Sequence, residues 1–338
     1  MVDNKLIQES QKFSKDALAL NPEHEIEQIV HLLQDTIHRR FGRKGAVVGI
    51  SGGIDSSVVL SLCVRALGSP QVLGLLLPEK DSSPQSAVLA HELAGQLGVQ
   101  TITEDITGAL TALGCYRRRD EAVKRLVPEY EPGWAVRIAL PGSLLEQDTL
   151  NFFYLIVTDP QGGEIRTRLP PAEYAQVVAA SNFKQRTRMS MLYYHAEMRR
   201  MCVIGTANKN EYELGFFVKH GDAGVDINPI VHLYKSQVYQ LAPCLDIPQS
   251  IQERIPTTDT YPGGGSQEEY FFRVPHEILD TVWLGYERNV PPGEIAKVLS
   301  LTTQQVQRII DDIVRKKRTT AFLRAGAVRN DPGLNIGV

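Results

Sequence analysis

The sequence predicts an α/β fold built on a doubly wound parallel sheet, and three observations carry that prediction. Apolar runs of strand length at residues 46–50, 72–77 and 99–106 alternate with helix-patterned segments. The second run is apolar throughout and stops at Pro78, as suits a strand covered on both faces. The first run ends in a glycine- and serine-rich turn, residues 49–57, that opens into a helix pattern, and the carboxyl ends of such strands are where these sheets hold ligands.

The elements follow in order. Residues 22–40 place Ile26, Ile29, Val30, Leu33 and Ile37 at helical spacing behind Asn21 as N-cap and Pro22 at the first helical position. His24, His31 and His38 recur along this helix about 10 Å apart, too far to share one metal ion, and read as surface or packing residues. After the turn, Val58, Val59, Leu60, Leu62, Val64 and Leu67 suit a largely buried helix, and a further helix is expected at 83–97. Residues 108–180 break the alternation. They contain a basic run (Arg117, Arg118, Arg119, Lys124, Arg125), a loop-like stretch at 128–142, and a β-hairpin of 152–158 with 164–169 around Asp159-Pro160-Gln161-Gly162-Gly163. We expect an insertion there that lids a site or builds a subunit contact. A helix opening at Asn182 and ending near Arg200 leads to a strand at 201–205. Residues 292–299 and 304–315 form a helix pair with the look of a DNA-reading motif, a reading outweighed by the motifs upstream.

Composition narrows the classes. At 338 residues and 43% hydrophobic content, the chain can bury one large core or two smaller ones. No apolar run approaches the roughly 20 residues of a membrane span, and the polar N-terminus lacks the apolar core of a signal peptide. No membrane partner and a cytoplasmic location are the expectation. Cys63, Cys115, Cys202 and Cys244 are scattered without a Cys-x-x-Cys pair, against a zinc site or a disulfide framework; Cys202, in an apolar strand, reads as an inert thiol. A net charge of −3 argues against a general nucleic-acid surface, and the basic run reads as a solvated helix face or a contact to small-molecule phosphates.

The turn itself, Gly49-Ile50-Ser51-Gly52-Gly53-Ile54-Asp55-Ser56-Ser57, has the chemistry of an anion cradle. Gly52 and Gly53 admit backbone angles closed to other residues, so amides and the hydroxyls of Ser51, Ser56 and Ser57 can converge at a helix N-terminus. The lysine of a Walker A loop is missing and the spacing is not Gly-x-Gly-x-x-Gly, which leaves a pyrophosphate cradle with an acid, Asp55, suited to Mg²⁺, or an ordinary turn capped by serines.

This turn resembles the Ser-Gly-Gly-x-Asp-Ser signature of ATP pyrophosphatases, adenylating enzymes that cleave ATP between its α and β phosphates. Further motifs sharpen the resemblance to NAD synthetases, whose members carry Asn-x-x-x-Arg-x-Arg-Met, Gly-Thr-x-Asn-x-x-Glu, Gly-Phe/Tyr-Phe-Thr-Lys-x-Gly-Asp and Asp-x-x-Pro-Ile in that order. Here they stand at residues 182–189, 205–211, 215–222 (with Val218 in the Thr place) and 226–230, followed by Lys235. The match covers most of residues 45–285. It implies the five-stranded parallel sheet of the Rossmann-like adenine nucleotide α-hydrolases in a single domain over 1–338, with the insertion at 108–180 and a helical C-terminal extension at 290–338. A homodimer is usual.

The resemblance also implies roles. Gly49, Ile50, Ser51, Gly52, Gly53, Ile54, Asp55 and Ser56 match the ATP loop, and Thr206, Lys235 and Thr257 match further ATP contacts. Asp55 and Glu211 match Mg²⁺ ligands; Arg186, Lys219 and Asp226 match contacts to deamido-NAD. Lys316 and Lys317 stand where the family has a His-Lys-Arg that closes over substrate. Ser266-Gln267-Glu268-Glu269-Tyr270-Phe271 replaces the family's Ser-Asp-Glu-Glu-Leu-Gly loop. The implied reaction adenylates the nicotinate carboxylate with ATP and lets ammonia displace AMP, with Asp55, Glu211 and Lys235 serving the phosphoryl charge and Asp226 a candidate proton acceptor. Glutamine-dependent members carry an amidohydrolase domain ahead of the synthetase; the residues before Ala46 are too few for one, so free ammonia, or ammonia from a separate glutaminase subunit, is expected. A related amidotransferase acting on another carboxylate or on tRNA, and a non-catalytic nucleotide-binding module, are the alternatives.

Overall fold

In the computed structural model, which describes residues 13–140, 142–146, 152–257 and 265–328, helix α1 (Pro22–Gln34) starts where Asn21 Oδ1 accepts the His24 amide. It runs on through a π-helical segment, Asp35–Arg40, and buries Ile26, Ile29, Leu33 and Ile37 while His24, His31 and His38 stay exposed. Then come β1 (Ala46–Gly49), α2 (Ile54–Leu67), β2 (Val72–Leu76), α3 (Pro84–Gln96) and β3 (Gln100–Thr103). Helices α4 (Thr107–Ala112) and α5 (Cys115–Leu126) precede a second sheet of β4 (Ala135–Ala139), β5 (Tyr154–Thr158) and β6 (Glu164–Arg168), and α6 (Pro171–Arg199) returns the chain to β7 (Cys202–Ile204).

The parallel sheet has the order β3-β2-β1-β7, with Ala46 opposite Val72 on one side and Cys202 on the other. Among the described residues it has four strands where five were expected. The fifth position is reduced to a parallel bridge between Ile204 and Ile227, because Pro229 soon follows and has no N–H to continue a ladder. Alternation along β1 sends Ala46 and Val48 to one core and Val47 to the other. The first core packs α1, α2 and α3 on one face; the second packs α5 and α6 on the opposite face. That is the doubly wound arrangement.

Two readings need correction. Residues 128–142 contain β4, which pairs antiparallel with β5, so the hairpin is part of a three-stranded sheet in the order β4-β5-β6. Turn residues at both ends of a five-residue strand hid it. Helix α6 begins at Pro171 rather than at Asn182, a start with proline at the first helical position.

The rest of the chain adds α7 (Lys209–Leu214), α8 (Lys235–Leu241), α9 (Gln249–Gln252), α10 (His276–Glu287), α11 (Pro292–Leu299), α12 (Thr303–Thr319) and α13 (Ala321–Arg324). Ile295 and Ala296 of α11 and Val306, Ile309, Ile310 and Ile313 of α12 bury against Leu279, Val282 and Trp283 of α10, so this helix pair uses its apolar faces for internal packing. Residues 329–338 of the anticipated C-terminal extension lie outside the described residues. No helix among the described residues is long and apolar enough to cross a membrane. All four cysteines are free; burial pushes the Cys202 thiol up to about 11, as an inert thiol requires.

Candidate active site

Strand β1 delivers the chain to the turn at the carboxyl edge of the sheet. Gly52 has φ +69°, and a Cβ there would lie 2.5 Å from the Ser86 carbonyl oxygen, so both the left-handed backbone and the close approach of α3 require glycine. Ser56 Oγ donates to the Gly53 carbonyl at 3.0 Å and accepts the Ser51 amide at 3.3 Å; Ser57 Oγ donates to the same carbonyl at 2.9 Å. These bonds fix the N-terminal turn of α2, which has no side-chain cap on its leading amides, the feature that suits an anion. Arg254 closes the turn from behind, donating to the Ser51 and Gly52 carbonyls at 3.4 and 3.2 Å and to Ser86 Oγ at 2.8 Å.

Two elements, α8 and α7, bring charged groups to Asp55 in the first turn of α2. Lys235, at the start of α8, forms a very short ion pair with it, and Asn208 donates its Nδ2 at 3.0 Å. Asn208 is also the N-cap of α7 in a reciprocal capping box: its Oδ1 accepts the Glu211 amide at 3.1 Å and Glu211 Oε2 accepts the Asn208 amide at 3.2 Å. The cap thereby sets Glu211 beside Asp55. Gln267 donates to the other oxygen of Glu211 at 3.2 Å. Beneath them Asp280, wholly buried, accepts from Asn210, whose Oδ1 in turn accepts the Lys235 amide at 3.3 Å, and from the Ser236 amide at 2.8 Å. The lysine is thus locked at its backbone.

The electrostatics follow from the crowding. Desolvation, and then the nearby Asp55 charge, push the Glu211 carboxyl up to about 8 despite the opposing Lys235. Burial alone would depress Lys235, but Asp55 and Glu211 outweigh it and its pKa rises. Two carboxylates therefore share one ammonium. This has a stability consequence in the ligand-free protein. Above about pH 4.5 the unfolded chain releases the Glu211 proton while the native site keeps it until about 8, so the group's contribution to stability is lost as pH rises through that window. Glu211→Gln should flatten the fall in Tm between pH 5 and 8 in thermal melts; identical pH slopes for variant and wild type would contradict the assignment.

The remaining residues singled out in the sequence make their own contacts on other elements. Thr206 lies between β7 and Asn208, and Thr257 bridges antiparallel to Ser266 at the entry to the Gln267 loop. Arg186 of α6 donates to the Lys219 carbonyl at 3.4 Å, and the Lys219 ammonium donates to the carbonyls of Phe322 and Ala325 at 2.9 and 2.7 Å. Asp226 accepts from Tyr193 Oη at 3.0 Å and from the Val203 amide at 2.8 Å, so both its oxygens are tied to α6 and β7. Lys316 is bound to Asp312 at 2.7 Å and to the Phe271 carbonyl at 2.6 Å, and Lys317 pairs with Glu213 at 3.1 Å.

Sequence reasoning passed over Asn208, Arg254 and Gln267 as site residues. The Asn-x-x-Glu capping pattern at 208–211 was a usable signal for the first. Arg254 reaches the site from a stretch distant in sequence and carried none, while Gln267 stood in the 266–271 stretch matched to a family loop without a role of its own.

The model of the NAD synthase family matches residues 25–127 and 165–321, leaving out most of the three-stranded sheet. An NH3-dependent NAD(+) synthetase of Mesorhizobium japonicum is 46% identical over 91% of this chain and 96% of its own, and one of Rhizobium meliloti is 44% identical over 93% of each. Among solved structures, an NH3-dependent NAD synthetase from Campylobacter jejuni matches with a TM-score of 0.59 at 22% identity, covering 92% of this chain and all of that one. An NMN synthetase from Francisella tularensis matches with a TM-score of 0.57 at 23% identity over the same shares. The two solved structures share the fold; the family model and the close relatives go further, and by them this chain belongs to the NAD synthase family.

Proposed function

We propose that this protein is an ammonia-dependent NAD synthetase, a ligase that amidates deamido-NAD at the expense of ATP and releases AMP and pyrophosphate. The observation that carries the proposal is the convergence of Asp55, Lys235 and Glu211 on the Ser-Gly-Gly-x-Asp-Ser turn, in a chain 46% identical to an NH3-dependent NAD(+) synthetase.

A carboxylate is a poor acceptor for ammonia because its leaving group would be oxide. The nicotinate carboxylate attacks the α-phosphorus of ATP, a phosphorus–oxygen bond to pyrophosphate breaks, and the oxygen that must leave becomes part of AMP. Ammonia then adds to the acyl carbon, AMP departs, and one proton is lost. The chain's part in the first step is positional and electrostatic: the leading amides of α2 and the Lys235 ammonium face charge that builds on the phosphate oxygens. Asp55 and Glu211 offer hard oxygen donors close together with only one ammonium between them, which fits Mg²⁺ shared with substrate phosphates. Mg²⁺ when bound would supply charge neutralisation on those phosphates. Thr206 and Thr257 are assigned to ATP, and Arg186, Lys219 and Asp226 to the dinucleotide, with Asp226 a candidate acceptor for the ammonium proton. Lys219 would exchange the Phe322 and Ala325 carbonyls for substrate. Lys316 and Lys317, held by Asp312 and Glu213, would reach substrate only after leaving those partners.

The test is direct. Incubation with ATP, Mg²⁺, ammonium and deamido-NAD is expected to yield NAD, AMP and pyrophosphate in equal amounts, followed by chromatography. Pyrophosphate release only with a different carboxylate acceptor would overturn the substrate assignment.

A further inference from the structure

We propose that the three-stranded sheet β4-β5-β6 is a brace for the loop 266–273, whose residues Glu268–Phe272 form a π-helical turn, that Tyr270 is the positioning residue through which it acts, and that Gln267 is the side chain it holds against Glu211. The proposal rests on the reading of Glu211 as an active-site carboxylate.

The loop is gripped on several sides. At its start Gln267 reaches Glu211, and the Gln267 amide donates to the Pro256 carbonyl at 3.0 Å. In its middle the ring of Tyr270 packs against the apolar core of the small sheet, which contains Val136, Ile138, Leu155 and Val157. The next two residues turn the other way: Phe271 and Phe272 join the core formed by α10, α11 and α12, and the Phe271 carbonyl accepts the Lys316 ammonium. At its end Arg273, buried and left-handed at φ +64°, accepts the Leu144 amide at 3.1 Å and Ser143 Oγ at 3.3 Å on its carbonyl, while its Nε donates to the Gly142 carbonyl at 3.4 Å. Residues 142–144 directly follow β4 in the chain.

The loop therefore sits where two apolar cores meet: Tyr270 packs on the core of the small sheet, and its ring also meets Phe216, which joins Phe271 and Phe272 in the other core. Two observations connect this with the sheet. The family model leaves out residues 128–164, the stretch that contains β4 and β5, and the Arg273 end of the loop is bonded to residues 142–144 of that same stretch. Aromatic rings packed against both cores leave this segment little freedom to rearrange. The added sheet and Tyr270 are one device, which keeps the Gln267–Glu211 contact formed before substrate arrives.

Hydrogen exchange and kinetics on Tyr270→Ala, Tyr270→Phe and Gln267→Ala test it. In Tyr270→Ala, amides 267–273 should exchange at least about 10-fold faster than in wild type while those of β1 and α2 are unchanged; Tyr270→Phe, which keeps the ring, should restore protection. In turnover, Tyr270→Ala and Gln267→Ala should each lower kcat by about 10-fold, and the double variant should be no worse than either, because both act on one contact. Unchanged exchange at 267–273 overturns the brace whether or not the protein makes NAD. Normal loop exchange loss with multiplicative kinetic effects overturns the role of Gln267. Should Tyr270→Ala fail to fold, Tyr270→Leu carries the same exchange measurement. Wild-type inactivity toward deamido-NAD would instead count against the proposed function and leave the exchange result standing.

Discussion

Replacing Asp55 with asparagine is expected to lower kcat by about 10²–10³-fold, the loss typical when one preorganised electrostatic group is removed from a transition state. The side chain is nearly isosteric, so the packing of α2 survives; what changes is charge. Lys235, only 4% exposed, loses its principal counter-ion, and of the two carboxylates proposed to hold Mg²⁺ one remains. Glu211 gains in compensation: with the neighbouring Asp55 charge gone, one of the three influences raising its pKa disappears, leaving burial as the main one and the Asp222 charge as the lesser. The variant should therefore bind ATP weakly, release little pyrophosphate with deamido-NAD, and keep its circular dichroism spectrum. Pyrophosphate release at the wild-type rate would remove Asp55 from the reaction and with it the phosphate-cradle reading of the turn.

The largest effect on stability is expected at Lys184, which takes no direct part in that cradle. Its ammonium is fully buried on α6 and bonds Glu79 at 3.0 Å and Asp81 at 2.7 Å. Tyr116 donates to Glu79 at 2.8 Å, and Arg119, itself 2% exposed, pairs with Asp81 and with Asp120. The network ties the segment after β2 to α5 and α6, and the helix that follows this segment carries Ser86 against Gly52. Lys184→Met preserves length and removes charge, leaving Glu79 and Asp81 inside the protein with one cation short. A loss of about 3–5 kcal/mol in urea unfolding is expected, the range for breaking one side of a buried pair. The pH dependence supplies a second readout. Burial would raise the Asp81 carboxyl, but Lys184 and Arg119 outweigh it and hold it below the ordinary carboxylate range. Its contribution is thus present above the unfolded pKa and lost as pH falls through the folded one, and in Lys184→Met that acid-side loss should shrink. A change under about 1 kcal/mol would mean that the two carboxylates find water or protons instead.

Several elements were legible in the chain because local chemistry alone fixes them. The helix over 22–34 is written in its apolar spacing and its Asn-Pro start, and the buried α2 in its unbroken run of small and apolar residues. The hairpin of β5 and β6 follows from two strand-like runs around a glycine turn. Strand β4 was not legible, since five residues between turn signals acquire strand character only when β5 offers them a ladder. The missing fifth strand, which the family resemblance implied, is the converse case: the chain turns at Pro229, and next to β7 the pairing stops at the bridge of Ile227 to Ile204.

The amino-acid sequence by itself determined the alternation of strands and helices, the left-handed glycine at 52, the capped start of α7, and the set of acids and bases able to serve phosphate chemistry. These depend on residues within a few positions of one another, where backbone sterics and hydrogen bonding act directly. Only the tertiary structure decided that Asp55, Glu211 and Lys235 meet, that Arg254 and Gln267 join them, that Asp226 is tied to Tyr193 and β7, and that Lys316 is tied to Asp312 and Phe271. The reason is burial: removed from water, each of these charges must find a partner, and which partner is in reach is set by how β1, α7, α8 and the 266–273 loop pack together, not by their order in the chain.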